Sequence, residues 1–357
     1  MKILFLFPYP LEQAPSQRFR FEQYFAALLK TGYSIDSQSF WGEYYWKVLY
    51  KKGNTLQKVW GLLNGFGRRF KVLSQLPSAD FVFIHRELTP LGPPIFEWLI
   101  AKVFRKQVIF DFDDAIWLPN TSESNKIAGW LKWHSKTGNI CQWSWKVSVG
   151  NSYLANYAKQ FNDNVVINPT TIDTEHHHRI HKKTKPTNDP IVIGWTGSHS
   201  TLPYLDMLWS VLEELAKDQK FSFRVISNQP PLVTYPWLEF TPWNKDTEIG
   251  DLAVIDIGVM PLTDDKWSQG KCGFKALQYM ALEIPTIASP VGVNVDIIEN
   301  GNNGLLAAST GDWLVSLKET LTNEGLRKKL GEAGRKTVED RYSIKANTQN
   351  FLDLFSK

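Results

Sequence analysis

A short basic stretch that contains two glycines, Gly270-Lys-Cys-Gly-Phe-Lys275, follows an apolar segment that ends at Pro261. The pattern predicts a buried strand, then a loop, then a helix that opens near Gly273. Backbone N–H groups at a helix N-terminus attract anions, and Lys271 and Lys275 add two positive charges there. The stretch is therefore a candidate phosphate or diphosphate site, although a structural loop with surface lysines would have the same sequence.

A second group of reactive side chains ends another apolar run. The segment Val108-Ile-Phe-Asp-Phe-Asp-Asp-Ala-Ile-Trp117 contains Asp111, Asp113 and Asp114. Carboxylates this close raise one another's pKa and titrate as a group. Three interpretations are open: an Asp-x-Asp metal site, a catalytic carboxylate, or residues that cap the following loop or helix.

Three other groups of polar or aromatic residues also have both a functional and a structural interpretation. Arg18 and Arg20 open the first helix, where they could hold a phosphate group or lie on a solvated face. The indole of Trp243 could stack on a planar ligand or pack in the core. The run His176-His177-His178 and His181 could form a metal tract, but no suitably spaced Cys or carboxylate accompanies them, so we expect a solvated loop.

Short apolar strands alternate with amphipathic helical stretches along most of the chain. This alternation is typical of an α/β fold with a parallel sheet covered by helices on both faces. A helix is predicted over Gln17–Lys30, with Gly32 as its stop. The predicted strands are Ile3–Phe7, Phe81–His85, Val108–Asp111, Lys146–Val149, Val165–Ile167, Ile191–Trp195, Phe221–Ile226, Leu238–Thr241, Asp256–Met260 and Pro285–Ser289.

A polar stretch that contains Pro186 and Pro190 interrupts the alternation. We therefore expect a Rossmann-like domain over 1–172, a linker over 173–190 and a second doubly wound domain over 191–340. Doubly wound sheets bind ligands at the carboxyl ends of their strands, so two facing domains would place a crevice between those ends.

Composition excludes several classes of protein. Of the 357 residues, 43% are hydrophobic and 21% are charged, which excludes a disordered chain and is enough for two domains. No apolar run approaches the ~18 residues of a transmembrane helix. With only Cys141 and Cys272, no disulfide framework is expected, and a reducing cytoplasm is the expected compartment.

The positive charge is concentrated in one aromatic stretch, 41–71. It contains seven Lys or Arg residues and one acid, Glu43, a local charge of +6 in a chain whose total is +4. Trp, Tyr and Leu interleaved with basic residues are typical of a segment that meets an anionic membrane, but also of an amphipathic helical pair over the sheet. The same composition could bind RNA, yet no nucleic-acid motif accompanies it, so no nucleic-acid partner is expected.

Taken in order, the motifs resemble those of family 4 (group 1) glycosyltransferases. The donor-site signature of that family is similar to the Gly-Phe turn at 273–274, Leu-Gln-Tyr-Met-Ala281, Ile284-Pro-Thr-Ile-Ala-Ser289 and Gly292-Val-Asn294. Asn168-Pro-Thr-Thr-Ile-Asp173 resembles its crossing between domains. Three further segments resemble its donor-domain first strand, its late strand entry and its closing helix: Ile193–Gly197, Asn300–Gly304 and Arg341–Phe355.

The resemblance implies the GT-B fold: two Rossmann-like domains that face a crevice, with 341–357 as a helix that crosses back to the first domain. It implies transfer of a sugar from a nucleotide diphosphate sugar to a glycan or lipid-linked acceptor, with retention and with no metal or other cofactor. The implied catalytic residues are Asp113 and Lys271, and the implied acceptor ligands are Arg18, Arg20 and Asp114. The implied donor ligands are Gly197, Ser198, His199, Ser227, Trp243, Asn244, Lys271, Cys272, Gly273, Phe274, Lys275 and Gln278.

Two departures from the family pattern affect the donor site. The family has two glutamates eight positions apart, but Gly270 and Gln278 stand at those positions here. Gln278 could still bond a ribose through its amide, whereas Gly270 offers no carboxylate. The usual Arg after the first donor-domain strand is also absent, because Thr196-Gly-Ser-His199 stands there. The identity of the sugar therefore does not follow from the resemblance.

Other functions remain as alternatives. Missing glutamates would suit a non-catalytic sugar-nucleotide-binding or scaffold subunit, and some sugar-nucleotide epimerases share the two-domain architecture. A nicotinamide dehydrogenase is disfavoured, because the first loop, Pro8-Tyr-Pro-Leu-Glu-Gln-Ala14, lacks Gly-x-Gly-x-x-Gly. Our preferred prediction is a cytoplasmic transferase that contacts the inner face of a membrane through 41–71.

Overall fold

A computed structural model describes residues 1–49, 51, 53–119, 133–179 and 189–356. The chain divides into two compact units. Unit 1 consists of Met1–Thr170 together with Asn347–Lys357, and unit 2 of Thr171–Ala346. Each unit contains one parallel sheet of six strands, so the predicted pair of doubly wound α/β units is confirmed.

The sheet of unit 1 has the strand order β2-β1-β3-β4-β5-β6, and all its pairs are parallel. Its strands are β1 (Lys2–Phe7), β2 (Ser34–Ser39), β3 (Phe81–His85), β4 (Gln107–Phe112), β5 (Lys146–Val149) and β6 (Val165–Ile167). Five of these strands were predicted. The sequence did not indicate β2, because this edge strand reads Ser-Ile-Asp-Ser-Gln-Ser and is only partly buried.

The prediction of one continuous helix over Gln17–Lys30 is wrong. Two helices, Pro15–Arg18 and Phe25–Lys30, flank a 3-10 turn at Glu22–Tyr24. The chain turns inward between them because Arg20 and Phe21 are buried in the core. Other helices of this unit are Glu43–Leu49, Thr55–Leu73, Ile95–Trp98, Lys136–Trp143 and Ser152–Ala158, with 3-10 turns at Leu76–Ser78 and Asp353–Phe355 and a π-helical turn at Leu99–Val103.

Unit 2 has the strand order β12-β11-β10-β7-β8-β9, again fully parallel. Its strands are β7 (Ile191–Gly197), β8 (Phe221–Ser227), β9 (Leu238–Pro242), β10 (Ile257–Met260), β11 (Thr286–Ala288) and β12 (Leu305–Leu306). The five strands predicted here are confirmed, each with ends within two residues of the expected ones. Trp195 and Trp313 are fully buried in the core of this unit.

The helices of unit 2 cover both faces of its sheet, as expected for parallel strands joined by crossovers. They are Asp206–Leu215, Glu248–Ala253, Lys266–Gln269, Phe274–Ala281, Asn294–Ile297, Thr310–Thr322 and Glu324–Thr337, with a 3-10 helix at His199–Leu205 and a π-helical turn at Val338–Tyr342. The helix Ile344–Leu352 begins in unit 2, and its residues from Asn347 onward belong to unit 1.

Each sheet has a topological switch point. In unit 1, β2 and β3 lie on opposite sides of β1, and in unit 2, β8 and β10 lie on opposite sides of β7. Loops that leave the carboxyl ends of the strands around such a point diverge and leave a crevice in which ligands bind. The candidate site residues are therefore those that follow β1 and β3 in unit 1, and those that follow β7 and β10 in unit 2.

Candidate functional site

The loop after β7 contains three of the predicted donor ligands, Gly197, Ser198 and His199. Ser198 caps the 3-10 helix that follows, in a capping box with Thr201. The backbone N–H of His199 donates to Oδ1 of Asn228 (2.7 Å), and the amide of Asn228 meets Nδ1 of His199 (3.0 Å). The loop after β7 is thus tied to the residue that follows the end of β8.

The loop after β10 leads into the helix Phe274–Ala281, so the predicted helix start at Gly273 is confirmed. Gly273 has a φ of 69°, a left-handed conformation that favours glycine, and a Cβ there would overlap the side chain of Ile297. Glycine is therefore needed at this turn. It leaves the first N–H groups of an eight-residue helix at the carboxyl end of β10, as expected of an anion site.

Two lysines of this loop lie over indole rings. Nζ of Lys271 is 5.0 Å from the ring centroid of Trp267, and Nζ of Lys275 is 5.6 Å from that of Trp195. Such cation–π contacts restrict flexible side chains to a few positions. Lys275 is thereby held beside β7, the strand that contains Trp195. Cys272, in the same loop, is buried.

Gln278, which stands where the family has a glutamate, lies next to a residue that the sequence did not indicate. Gln278 is only 1% exposed, and its Nε2 lies 3.5 Å from Oε1 of Glu248. Glu248 is itself 5% exposed and accepts from the indole of Trp243 (3.4 Å), while Asn244 is exposed. A buried carboxylate is thus present in the predicted donor region, on a different helix from the one that carries the family's glutamate position.

The histidine tract is not uniformly solvated, so our expectation for it was wrong at one position. His178 is fully buried, with its Nε2 3.5 Å from Nε2 of Gln278. Arg335 fixes this segment by donating to the carbonyls of His178 (2.7 Å) and Thr174 (2.8 Å). His176 is exposed as expected, and His181 lies outside the described residues.

The three aspartates of unit 1 have different partners, and the pKa of Asp111 is lowered rather than raised, contrary to the prediction. Asp111 is fully buried in β4, where it accepts from Arg20, from Nδ1 of His85 (2.8 Å) and from Ser148 (2.7 Å). Burial alone would raise the pKa of Asp111, but the Arg20 guanidinium and the His85 hydrogen bond hold it well below its usual range. Asp111 is therefore an ionised structural group.

The other two aspartates share one partner, Arg86, which sequence analysis missed. Arg86 donates to Asp113 through Nε (2.9 Å) and to Asp114 through Nη2 (2.6 Å). Burial would lower the pKa of Arg86, but the two carboxylates raise it above its ordinary value. Arg86 follows β3 directly and has a φ of 61°, a sparsely populated conformation for a side chain of this size.

The two predicted acceptor arginines have different surroundings. Arg20 is buried, and its guanidinium donates to Asp111 and to the carbonyl of Asn168. In this conformation Arg20 has no surface to offer an acceptor. Arg18 is partly exposed and lies 5.0 Å over the ring of Phe19.

The aromatic basic stretch 41–71 contains an exposed apolar face. On the helix Thr55–Leu73, Leu56 (78% exposed), Trp60 (64%) and Phe70 (63%) lie on one side, together with Val59 and Leu63. Their spacing places them within about 100° around the helix axis. Trp41 and Arg69 are buried, so these two do not belong to a surface, and residues 50 and 52 lie outside the described residues.

In the described part of the chain, no group of three or more His, Cys, Asp or Glu side chains is arranged to hold a metal ion. No helix there has both the length and the apolar character needed to cross a membrane.

Comparison with known proteins connects these features to a family. Residues 190–323 match the family described as "Glycosyl transferases group 1". This segment includes β7 to β12 and both loops at the switch point of unit 2. The comparison with curated proteins gave no match.

Solved structures match over nearly the whole chain. The structure is similar to sucrose-phosphate synthase from Thermosynechococcus elongatus, with a TM-score of 0.73 and 12% identity over 99% of this chain and 98% of the other. It is similar to a glycosyltransferase from Rickettsia africae, with a TM-score of 0.68 and 15% identity over 99% and 97%. It also resembles HepE from Anabaena in complex with UDP-glucose, with a TM-score of 0.67 and 13% identity over 100% and 99%.

The two six-stranded parallel sheets of this chain and their flanking helices match these structures over nearly the whole of each chain, as the motif order predicted. The chain therefore has the GT-B fold, and its segment 190–323 carries the sequence features of group 1 glycosyltransferases.

Proposed function

We propose that the protein transfers a sugar from a nucleotide diphosphate sugar to a glycan or lipid-linked acceptor. The observation that carries this proposal is the convergence of two loops, Gly197–His199 and Gly270–Lys275, at the switch point of one parallel sheet. The group 1 match includes both loops. HepE, a structural neighbour, was solved with UDP and with UDP-glucose, which supports a nucleotide diphosphate as the ligand class.

The donor is proposed to bind in unit 2. Its diphosphate would accept hydrogen bonds from the amides that follow Gly273 and charge from Lys271 and Lys275, with Cys272 and Phe274 shaping the loop. Lys271 would stabilise the negative charge that develops on the leaving phosphate, the largest catalytic effect in many transfer reactions. Ser198, His199 and Ser227 would line the phosphate side, and Trp243, Asn244 and Gln278 the nucleoside side.

The acceptor is proposed to bind in unit 1, near the residues that follow β3 and β4. Asp113 is our candidate catalytic carboxylate, and Asp114 and Arg18 are candidate acceptor ligands. Arg86 binds both carboxylates and holds them in place. We propose a retaining reaction that needs no metal. The resemblance to group 1 glycosyltransferases supports both parts of this proposal, and Arg86 already supplies a positive charge to the two carboxylates.

The position of Glu248 suggests why Gln278 replaces the family's glutamate. A carboxylate at 278 would lie against Glu248 in a nearly dry environment, where two like charges repel strongly. An amide donates to Glu248 instead. We propose that Glu248 supplies a carboxylate to the nucleoside side of the site, oriented by Gln278 and Trp243.

We further propose that unit 1 docks on an anionic membrane through the helix Thr55–Leu73. Five exposed apolar side chains on one helix face are more than a solvated helix needs. The exposed Lys71 lies next to this face on the helix, and Lys47 and Lys51 are exposed nearby in the chain, which favours a negatively charged surface as the partner. A lipid-linked acceptor would then be within the same surface. The buried thiols of Cys141 and Cys272 suit the cytoplasmic side.

A panel of nucleotide diphosphate sugars, each mixed with the purified protein, tests the proposed activity. Transfer to an acceptor, or slow hydrolysis of one donor, is the expected result. A changed sugar on an intact nucleotide would identify an epimerase. Tight binding without turnover would identify a sugar-nucleotide-binding scaffold, and no binding of any member would contradict the donor site itself.

A further inference from the structure

We infer that Asn228 is a positioning residue that holds His199 in one neutral tautomer, with its proton on Nε2, and that this N–H donates to the donor diphosphate. The inference rests on the proposed function and adds to it the protonation state of one ligand and the residue that sets it. The residues concerned follow neighbouring strands: His199 comes after β7 and Asn228 after β8.

The direction of the Asn228 amide is fixed by the backbone. The N–H of His199 can only donate, so the Asn228 atom 2.7 Å from it must be the carbonyl oxygen Oδ1. The amide NH₂ then faces Nδ1 of the His199 ring at 3.0 Å. A flipped amide would place two donors against each other at the backbone contact, which costs a hydrogen bond.

The tautomer of His199 follows from that direction. An NH₂ group donates, so Nδ1 of His199 must accept and carries no proton. The single ring proton then lies on Nε2, at the far side of the imidazole from Asn228.

The placement of the ring makes Nε2 available to a ligand. His199 is exposed, and its loop is fixed by the Ser198–Thr201 capping box. A neutral donor with a preset direction would therefore stand at the proposed phosphate side. The N–H of His199, donating to a charged oxygen, would orient the diphosphate. Lys271 and Lys275 would supply the positive charge that attracts it.

Nitrogen-15 NMR of the protein at pH 7 tests the tautomer directly, with the His199 signal assigned by its loss in His199→Gln. We expect an unprotonated Nδ1 and a protonated Nε2. In Asn228→Asp, a carboxylate faces Nδ1 and should move a proton onto that nitrogen. A wild-type signal from a protonated Nδ1 would overturn the inference.

Two substitutions of His199 test whether its Nε2–H contributes to binding of the diphosphate. His199→Gln retains an amide nitrogen near the position of Nε2, and His199→Asn places one near Nδ1. Calorimetry with UDP, GDP and ADP selects the tightest binder, which is the probe, and its monophosphate is the control. We expect His199→Gln to bind the diphosphate within about threefold of wild type, and His199→Asn to bind it at least tenfold more weakly.

The outcomes separate this inference from the proposed function. If wild type binds a nucleoside diphosphate but the two His199 variants bind it with equal affinity, the tautomer has no role in binding. The inference then fails while the proposed function stands. If wild type binds none of the three diphosphates, the proposed donor site fails with it. Loss of monophosphate affinity in step with diphosphate affinity would show a general loop defect and would also overturn the inference.

Discussion

Arg20 and Asp111 lie 91 residues apart in the chain and form a buried ion pair beneath the carboxyl end of the sheet in unit 1. The same guanidinium donates to the carbonyl of Asn168, and the same carboxylate accepts from His85. The pair therefore connects the region after β1 with β3, β4 and the segment after β6. It keeps the floor of the candidate acceptor site in place.

Asp111→Asn should destabilise unit 1 by about 3–5 kcal/mol, because it leaves the buried charge of Arg20 without its partner. Chemical denaturation followed by a probe in unit 1 measures this. Asp36→Asn, which removes a largely exposed ion pair with Lys2, is the control and should cost less than about 1 kcal/mol. Equal losses in the free energy of unfolding from the two substitutions would show that the buried ion pair stabilises unit 1 no more than the exposed pair does.

The destabilisation by Asp111→Asn should depend on pH in a defined direction. The folded-state pKa of Asp111 lies below its unfolded value of about 3.9. Its stabilising contribution is therefore complete above that unfolded value and is lost as the pH falls through the folded-state pKa. The difference between wild type and Asp111→Asn should be constant from about pH 5 upward and should shrink below about pH 4.

Asp113→Asn should lower turnover by at least ~100-fold, the scale of losing one acid–base or electrostatic group. Donor affinity should survive, because Asp113 is in unit 1 and the donor is proposed to bind in unit 2. Asp114→Asn is a matched control, since it removes the same kind of partner from Arg86. We expect it to raise the acceptor KM more than it lowers kcat.

Similar losses of turnover in Asp113→Asn and Asp114→Asn would show that both carboxylates act through Arg86. Activity within a few-fold of wild type in both would make them structural. EDTA should have little effect. Activity that EDTA abolishes and a divalent ion restores would instead favour the metal interpretation of these carboxylates.

Lys271→Ala should weaken binding of a nucleoside diphosphate by about 1.5–3 kcal/mol, the value of one hydrogen bond to a charged group. Calorimetry measures the affinity. Lys266→Ala, in the short helix just before the loop, is the control and should leave affinity unchanged because Lys266 is not proposed to touch the ligand. Unchanged affinity in Lys271→Ala would remove this lysine from the donor site.

Gln278→Glu should destabilise unit 2 by on the order of 3 kcal/mol at pH 8, because it places a second buried carboxyl beside Glu248. Repulsion and burial would raise the folded-state pKa of the new group above its unfolded value of about 4.3. The destabilisation should therefore be absent at low pH and grow as the pH rises above that value. Thermal melting at several pH values measures it.

The exchange Glu248→Gln combined with Gln278→Glu is the matched control for this prediction. It retains one carboxylate and one amide in contact, so most of the lost stability should return. A single Gln278→Glu variant as stable as wild type at pH 8 would show that the contact with Glu248 is not what excludes a glutamate at this position.

Binding to anionic vesicles should fall when the apolar face of the helix Thr55–Leu73 or its basic neighbours are changed. Replacing Lys47, Lys51 and Lys71 by Glu should weaken cosedimentation about 100-fold or more, at ~1 kcal/mol for each basic group, and high salt should mimic this loss. The double substitution Trp60→Ser and Phe70→Ser should remove the part of vesicle binding that salt does not affect.

Three exposed lysines of unit 2, changed to Glu, are the charge-matched control and should leave vesicle binding nearly intact: Lys220, Lys266 and Lys336. Arg69 is unsuitable for such a test because it is buried and donates to the carbonyls of Leu88 (2.9 Å) and Phe7 (2.8 Å). Equal binding to neutral and anionic vesicles, or none to either, would contradict the docking proposal.

The sequence by itself determined the class of fold and the place of the loop that we propose binds the donor. Buried parallel strands are short apolar runs between turn residues, so β1, β7 and β10 are visible locally. Gly273 marks the start of a helix because its left-handed φ favours a residue without Cβ. These features depend on neighbouring residues, and the neighbours are in the sequence.

Only the tertiary structure decided which polar groups are partners. Arg86 with Asp113, Asn228 with His199 and Glu248 with Gln278 are each separated by about 27 to 30 residues. The first two pairs form because parallel strands bring their carboxyl ends to one edge, and the third joins two helices. No local pattern shows which side chains meet in this way.

Burial was the other property that depended on tertiary structure. Asp111 and Asp113 are two positions apart in the sequence, yet one is an ionised structural group in the core and the other lies at the partly exposed end of the strand. His178, in a polar segment, is fully buried, while Trp60, an apolar side chain, is exposed. The composition of a segment sets how much it can bury, but the packing of distant elements against it decides which residues are covered.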